Sequence, residues 1–342
     1  MKKIKSNKKS FLGKFFVKFC RLFGYEIIDQ SNLSIPTSNK SINDIISDPG
    51  KKSVTLPLGK IEITRPVKSL DVILRTCMTV DMLTQSKKRI LEEKKEEYSR
   101  RTLISILKSI NYAKNIFKDT IFKIYIIAHN SNKKQIDKLE NILNTSKIHF
   151  EILNLKLSEF SEKIKNINEE NKKVTDNQKS NMSNIHQSLF LSREKSQDLT
   201  YFVEDDYIDE LPAISEILLT FEKISSIINR DLIICPTDYP YLYTQNENTK
   251  IFLGENRHWR QIDHTLCTFF TSKKIVEKYW EDFTSMCKFE HYPFEKPLHN
   301  IYKQELCISP IPSLATHFTN INSVYGLSPN VNWKKLWEDN ES

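Results

Sequence analysis

From residue 70 to residue 203, short runs of apolar, β-branched residues alternate with longer stretches whose apolar positions recur at helical spacing. That alternation confines the chain to a layered α/β fold. Each amphipathic helix must bury its stripe against a sheet, and parallel strands need a crossover to return. The strand-like runs are 70–77 (LDVILRTC), 122–128 (FKIYIIA) and 148–153. A charged stretch, 85–101, precedes Leu103, Ile106, Leu107, Ile110 and Tyr112 at helical spacing, so the first two strands read as parallel neighbours. Residues 136–143 read as a helix, 161–179 as a polar surface loop and 180–195 as a further helix with Ile185 and Leu189 inward. The run 199–203 (LTYFV) is apolar enough to be buried on both faces, and it leads straight into Glu204, Asp205 and Asp206.

The charge of the chain has an uneven distribution. The formal net charge is +8, and residues 1–21 carry Lys2, Lys3, Lys5, Lys8, Lys9, Lys14, Lys18 and Arg21 with no acid. The remainder is therefore balanced and offers no basic globular face for nucleic acid. Within that segment Phe11, Leu12, Phe15, Phe16, Phe19, Leu22 and Phe23 fall at helical spacing, which makes 1–28 a basic amphipathic helix. It is too short and too charged to span a bilayer and lacks the cleavage signature of a secretory leader. Two readings stand for it: it lies on an anionic membrane surface, or it docks its Phe face on protein. Residues 29–66, rich in Ser, Asn, Pro and Lys, read as a linker, 67–326 as the compact domain and 327–342 as a tail. The six cysteines form no paired motif and read as reduced thiols of a cytoplasmic protein, peripheral to the inner membrane face if the helix binds lipid.

The acidic triplet gains meaning from its place. In an open parallel sheet, ligands bind outside the carboxyl ends of the strands, where these acids would sit. Adjacent carboxylates resist joint ionisation unless a cation is near, and oxygen ligands suit Mg²⁺ or Mn²⁺ bridging to substrate phosphates. A plainer reading has the triplet capping a helix over 211–228, with Asp209 and Glu210 at its N-terminus. A metal-dependent phosphohydrolase would need further acids at the other strand ends, where Arg75 and His129 stand instead.

The opening strand with Arg75 and Thr76, the second strand ending in a polar turn (IYIIAHNSN), and YFVEDDYI together resemble the GT-A glycosyltransferases, especially their large family 2. So do the blocks CPTDYPYLY, HWRQIDHTLCTFF and IPSLATHF. The likeness covers about residues 69–325. It implies a Rossmann-like, mostly parallel central sheet flanked by helices, and an enzyme that moves a sugar from a nucleotide-diphosphate donor to a glycan or lipid-linked acceptor; the alternative is a degenerate, non-catalytic transferase-like module held at a membrane surface by its basic helix. It further implies Glu204 beside the ribose or metal, Asp206 on the metal and through it the diphosphate, and Asp205 at the turn or donor sugar. His317 would be a further metal or diphosphate contact. Arg75, Thr76, His129 and Asn130 would line the donor site, although His129 and Asn130 stand where family members often carry a base-gripping Asp. Inverting transfer needs a general base on the acceptor side. Asp263, in its aromatic and Arg-rich loop, is the first candidate, with Asp238 in reserve and Glu295 behind it; Asp263 alternatively pairs with Arg260 or caps the next element.

Overall fold

The computed structural model describes residues 11–25, 53–56, 59–79, 90–129, 131–244, 248–319 and 323–341. Helix α1 (Phe11–Leu22) and a hairpin of β1 (Ser53–Leu56) and β2 (Gly59–Glu62) precede the main sheet. Then follow β3 (Ser69–Thr76), α2 (Lys95–Lys114), β4 (Ile121–Ala128), α3 (Lys133–Thr145), β5 (His149–Asn154), α4 (Asp176–Lys195), β6 (Leu199–Glu204) and β7 (Tyr207–Asp209). The second half adds α5 (Ala213–Ile228), β8 (Ile233–Ile234), β9 (Ile251–Leu253), β10 (His258–Gln261), β11 (Phe269–Ser272), α6 (Lys273–Lys278) and α7 (Trp280–Lys288). It closes with α8 (His299–Tyr302), β12 (Cys307–Ile311), β13 (Ala315–His317) and α9 (Trp333–Glu338).

Nine strands form one sheet in the order β5-β4-β3-β6-β11-β8-β12-β10-β9. Strands β5, β4, β3 and β6 are parallel neighbours, and only β10 and β11 run against the rest of the sheet. All eight residues of β3 are buried, as a strand covered by helices on both faces requires. The chain winds outward from β3 through α2 to β4 and through α3 to β5, then α4 carries it back to β6 on the other side of β3. Because such crossovers are right-handed, α2 and α3 lie on one face and α4 on the other. The winding therefore reverses between β3 and β6, which opens a crevice at their carboxyl ends.

Several segments are more structured than their composition suggests. Helix α4 starts at Asp176, where Thr175 and Gln178 form a reciprocal capping box. The stretch read as a surface loop is pinned: Ile164 and Val174 are buried with Phe160 and Met182, and Lys165 N donates to Lys288 O at 2.7 Å. The end of the expected linker joins the body as well. Ile61 is buried, and Arg65 bridges Asp198 (2.5 Å) and Asp231 (2.9 Å), both buried acids. Past residue 326, α9 sets Trp337 against Tyr98 (4.8 Å between ring centroids), with Arg101 over the indole at 4.4 Å. These ties pair side chains far apart in sequence, which composition cannot reveal.

Glu222 illustrates the electrostatics of that packing. It is buried on α5 and accepts a hydrogen bond from Val67 N at 2.7 Å. Burial pushes its carboxyl up to about 7, against the pull of the Val67 amide and Arg65. A carboxyl raised on folding adds stability below its unfolded pKa, and that stability is lost as pH rises through the folded value. Glu222→Gln keeps the acceptor and removes the titration. Urea unfolding should therefore show the variant gaining on the native chain by about 3 kcal/mol between pH 4.5 and pH 8. Parallel stability curves would refute this account.

Candidate functional site

The acidic triplet follows β6 at the point where the winding reverses between β3 and β6. Strand β6 ends at Glu204, which stands opposite Arg75 in the parallel register, while Thr76 stands beside Ala128 of β4. The three acids then take different environments. Glu204 faces the crevice with 32% of its side chain exposed and pairs with the buried Arg75 at 3.0 Å. Its carboxyl is shifted up, chiefly by burial of its surroundings and by the like charge of Asp206, while Arg75, His317 and Lys95 pull the other way.

Asp205 turns beneath the first turn of α2. One oxygen accepts from Thr76 Oγ1 (2.6 Å), Ser99 Oγ (2.8 Å) and Cys77 N (3.3 Å); the other lies 2.5 Å from Lys95 Nζ. One oxygen is thus fully taken up, and Asp205 and Thr76 bond to each other and hold the turn. Asp206 has Lys95 Nζ at 3.3 Å from Oδ2 and His317 Nε2 at 3.6 Å from Oδ1. Its carbonyl accepts from Phe318 N at 2.7 Å.

His317 reaches this point because β7 and β13 form a small antiparallel ribbon in which Tyr207 opposes His317. The two rings stack at 4.4 Å with an interplanar angle of 3°. His317 Nδ1 lies 2.7 Å from the carbonyl of Tyr325, which can only accept, so Nδ1 carries a proton. In the neutral ring Nε2 then holds a lone pair facing Asp206, at a separation too long for a hydrogen bond. This is the second-contact pattern usual for a metal-ligating imidazole.

A second loop closes the crevice from the side of β11. Leu266 and Cys267 take left-handed conformations (φ 53° and 61°). The buried Glu295 stabilises that turn by accepting from Thr265 N (3.4 Å), Thr265 Oγ1 (3.3 Å) and Cys267 N (3.3 Å). The carbonyl of Cys267 in turn accepts from Arg75 at 3.3 Å. Glu295 is thus a clamp beneath the loop, its carboxyl raised by burial against His264 and the backbone donors. Asp263 precedes the clamped turn, 62% of its side chain exposed, 2.5 Å from His264 Nδ1.

The sequence-derived residues therefore separate into groups. Arg75, Thr76, Glu204, Asp205, Asp206 and His317 converge. His129 lies at the end of β4, buried, with Nδ1 2.6 Å from Ser180 Oγ and its pKa lowered by burial; Asn130 lies outside the described residues. Asp238 is fully buried with both oxygens engaged, one by Arg260 and the other by Tyr243 OH at 2.5 Å, so it is closed to an acceptor hydroxyl. The neighbour expected to pair with Asp263, Arg260, is taken by that interaction. Helix capping by the triplet also fails, because β7 intervenes, Asp209 is buried against Tyr201 OH (3.0 Å), and Glu210 pairs with Arg257.

Sequence reading missed Lys95 and Ser99. Both sit in what looked like a charged lead-in, yet α2 begins at Lys95. The positions Lys95, Ser99, Thr102 and Ile106 follow helical spacing and are all buried, so counting small polar residues as inward-facing would have extended the helix back to them.

No family model matches the chain, and no curated protein matches it. Among solved structures, an active-site mutant of LgtC aligns at 8% identity and a TM-score of 0.35, over 69% of this chain and 70% of that one. The bifunctional glycosyltransferase WbbM aligns at 9% and 0.36, over 73% and 41%, and TarS of S. aureus at 11% and 0.37, over 65% and 55%. The chain thus spans about half the length of the latter two. Overlaps this loose leave the functional reading to the geometry of the crevice.

Lys95 contacts both Asp205 and Asp206. Removing a partner from a buried ion pair typically costs 3–5 kcal/mol. Lys95→Met should lower the unfolding free energy in urea by about 3 kcal/mol, and Lys95→Arg by less than half as much. An undiminished urea midpoint in Lys95→Met would show that the aspartates are satisfied without it.

Proposed function

We propose that the chain is a GT-A type glycosyltransferase that moves a sugar from a nucleotide-diphosphate donor to a hydroxyl of a glycan or lipid-linked acceptor. The observation that carries this is the placement of Asp206 and His317. An oxygen and an imidazole nitrogen face each other 3.6 Å apart at the reversal point of the sheet, with Arg75 and Lys95 alongside. Among the described residues no three His, Cys, Asp or Glu side chains form a ready-made metal set. Mg²⁺ commonly takes one or two carboxylates from protein and its other ligands from phosphate and water. Asp206 and His317 would hold Mn²⁺ or Mg²⁺, with Glu204 next to them.

A bound ion would offset the charge that grows on the leaving diphosphate. Arg75 supplies fixed positive charge to the same region. Asp263, exposed on the clamped loop, is the carboxylate open to an acceptor and the proposed general base for inverting transfer. Lys95 favours a second reading: its ammonium already lies against both Asp205 and Asp206, so a transferase could stabilise the diphosphate with Lys95 and Arg75 alone.

Thermal unfolding with donors separates these. Mn²⁺ plus a UDP- or GDP-linked sugar should raise the melting temperature by about 4 °C or more, and Asp206→Asn should abolish the rise. An equal rise in EDTA would favour the metal-independent reading. If no nucleotide diphosphate shifts the transition in either condition, glycosyl transfer is the wrong assignment.

A further inference from the structure

Helix α1 places its large apolar residues in solvent. Phe15, Phe16, Phe19, Leu22 and Phe23 are each between 48% and 83% exposed, and Tyr25 beyond them is 72% exposed. At about 100° per residue these five positions fall within an arc of about 120° on one side of the helix. Lys18 and Arg21 are exposed off that arc. The first 21 residues also hold eight cationic side chains and no acid, which equals the entire net charge of the chain.

We propose that α1 docks on an anionic lipid surface, with the Phe face in the acyl boundary and the cations among the head groups. This does not depend on glycosyl transfer. The apolar arc and adjoining cations are the two features that interfacial helices combine. Lipid chemistry fits better than other occupants. The remainder of the chain is charge-balanced and offers no counter-charge in excess to draw the segment inward. A second copy would bring two segments of the same sign together, which opposes self-association. At 12 residues, about 18 Å, the helix lies on a bilayer rather than crossing one of about 30 Å, and none of the described helices is long and apolar enough to span.

Flotation of the full chain tests this with vesicles of phosphatidylcholine alone and of phosphatidylcholine with phosphatidylglycerol. Partitioning should be about tenfold or more stronger on the anionic vesicles and should weaken as salt rises. Phe15→Ser with Phe19→Ser should lose binding to anionic vesicles while leaving the melting temperature unchanged, since both rings are exposed. Lys14→Gln with Lys18→Gln should weaken binding in a salt-dependent way. The proposal is overturned if the native chain does not float with anionic vesicles, or if the double Phe variant floats equally well. It is also overturned if sedimentation shows a dimer that the Phe substitutions dissolve, which would assign the face to a second copy.

Discussion

The crevice depends on the burial of Asp205. A carboxylate held under a helix needs a full set of donors, and this one draws them from the end of β3, the first turn of α2 and the Lys95 ammonium. Those contacts fix the α2 N-terminus against the strand ends and set the path of the turn on which Asp206 rides. Asp205 therefore sets the position of Asp206. Such networks are worth most when every member is satisfied, because any orphaned group inside the protein is costly.

The opposite wall is fixed by a different chain of contacts. Glu295 holds Leu266 and Cys267 in left-handed backbone, which non-glycine residues adopt at a cost. The turn in turn presents the Cys267 carbonyl to Arg75, and Arg75 reaches Glu204. Two buried carboxylates, Asp205 on one side and Glu295 on the other, thus position Asp206 and Glu204 through the backbone they hold. The exposed Asp263 sits at the start of the clamped loop, so its location is tied to the same backbone that orients Arg75.

How much of this was legible follows from the range of each interaction. The parallel strands and the triplet's place were readable because apolar runs and their spacing are local, and the crossover rule converts their order into topology. Lys95 and Ser99 were hidden because apolar counting overlooks inward small and charged residues on α2. Arg260 and Asp263 look like a pair in sequence, yet Arg260 leaves its strand toward Asp238, 22 residues away. Arg65 ties to Asp198 across 133 residues, so no linear pattern could place the domain edge there. His317 stood out by its surrounding block, but its orientation rests on the Tyr207 stack and the Tyr325 carbonyl, which only the ribbon register brings together.

The charge balance of the crevice bears on the proposed chemistry. Glu204, Asp205 and Asp206 face two permanent cations, Arg75 and Lys95, with His317 held through Nδ1 by the Tyr325 carbonyl and its Nε2 turned toward Asp206. The three carboxylates outnumber those two cations by one, and an incoming diphosphate would add more negative charge. Like charges at such spacing repel strongly where water is partly excluded. On the proposed reading, an anionic donor therefore enters with a divalent cation, and the Asp206–His317 gap is where protein ligands and phosphate can share it.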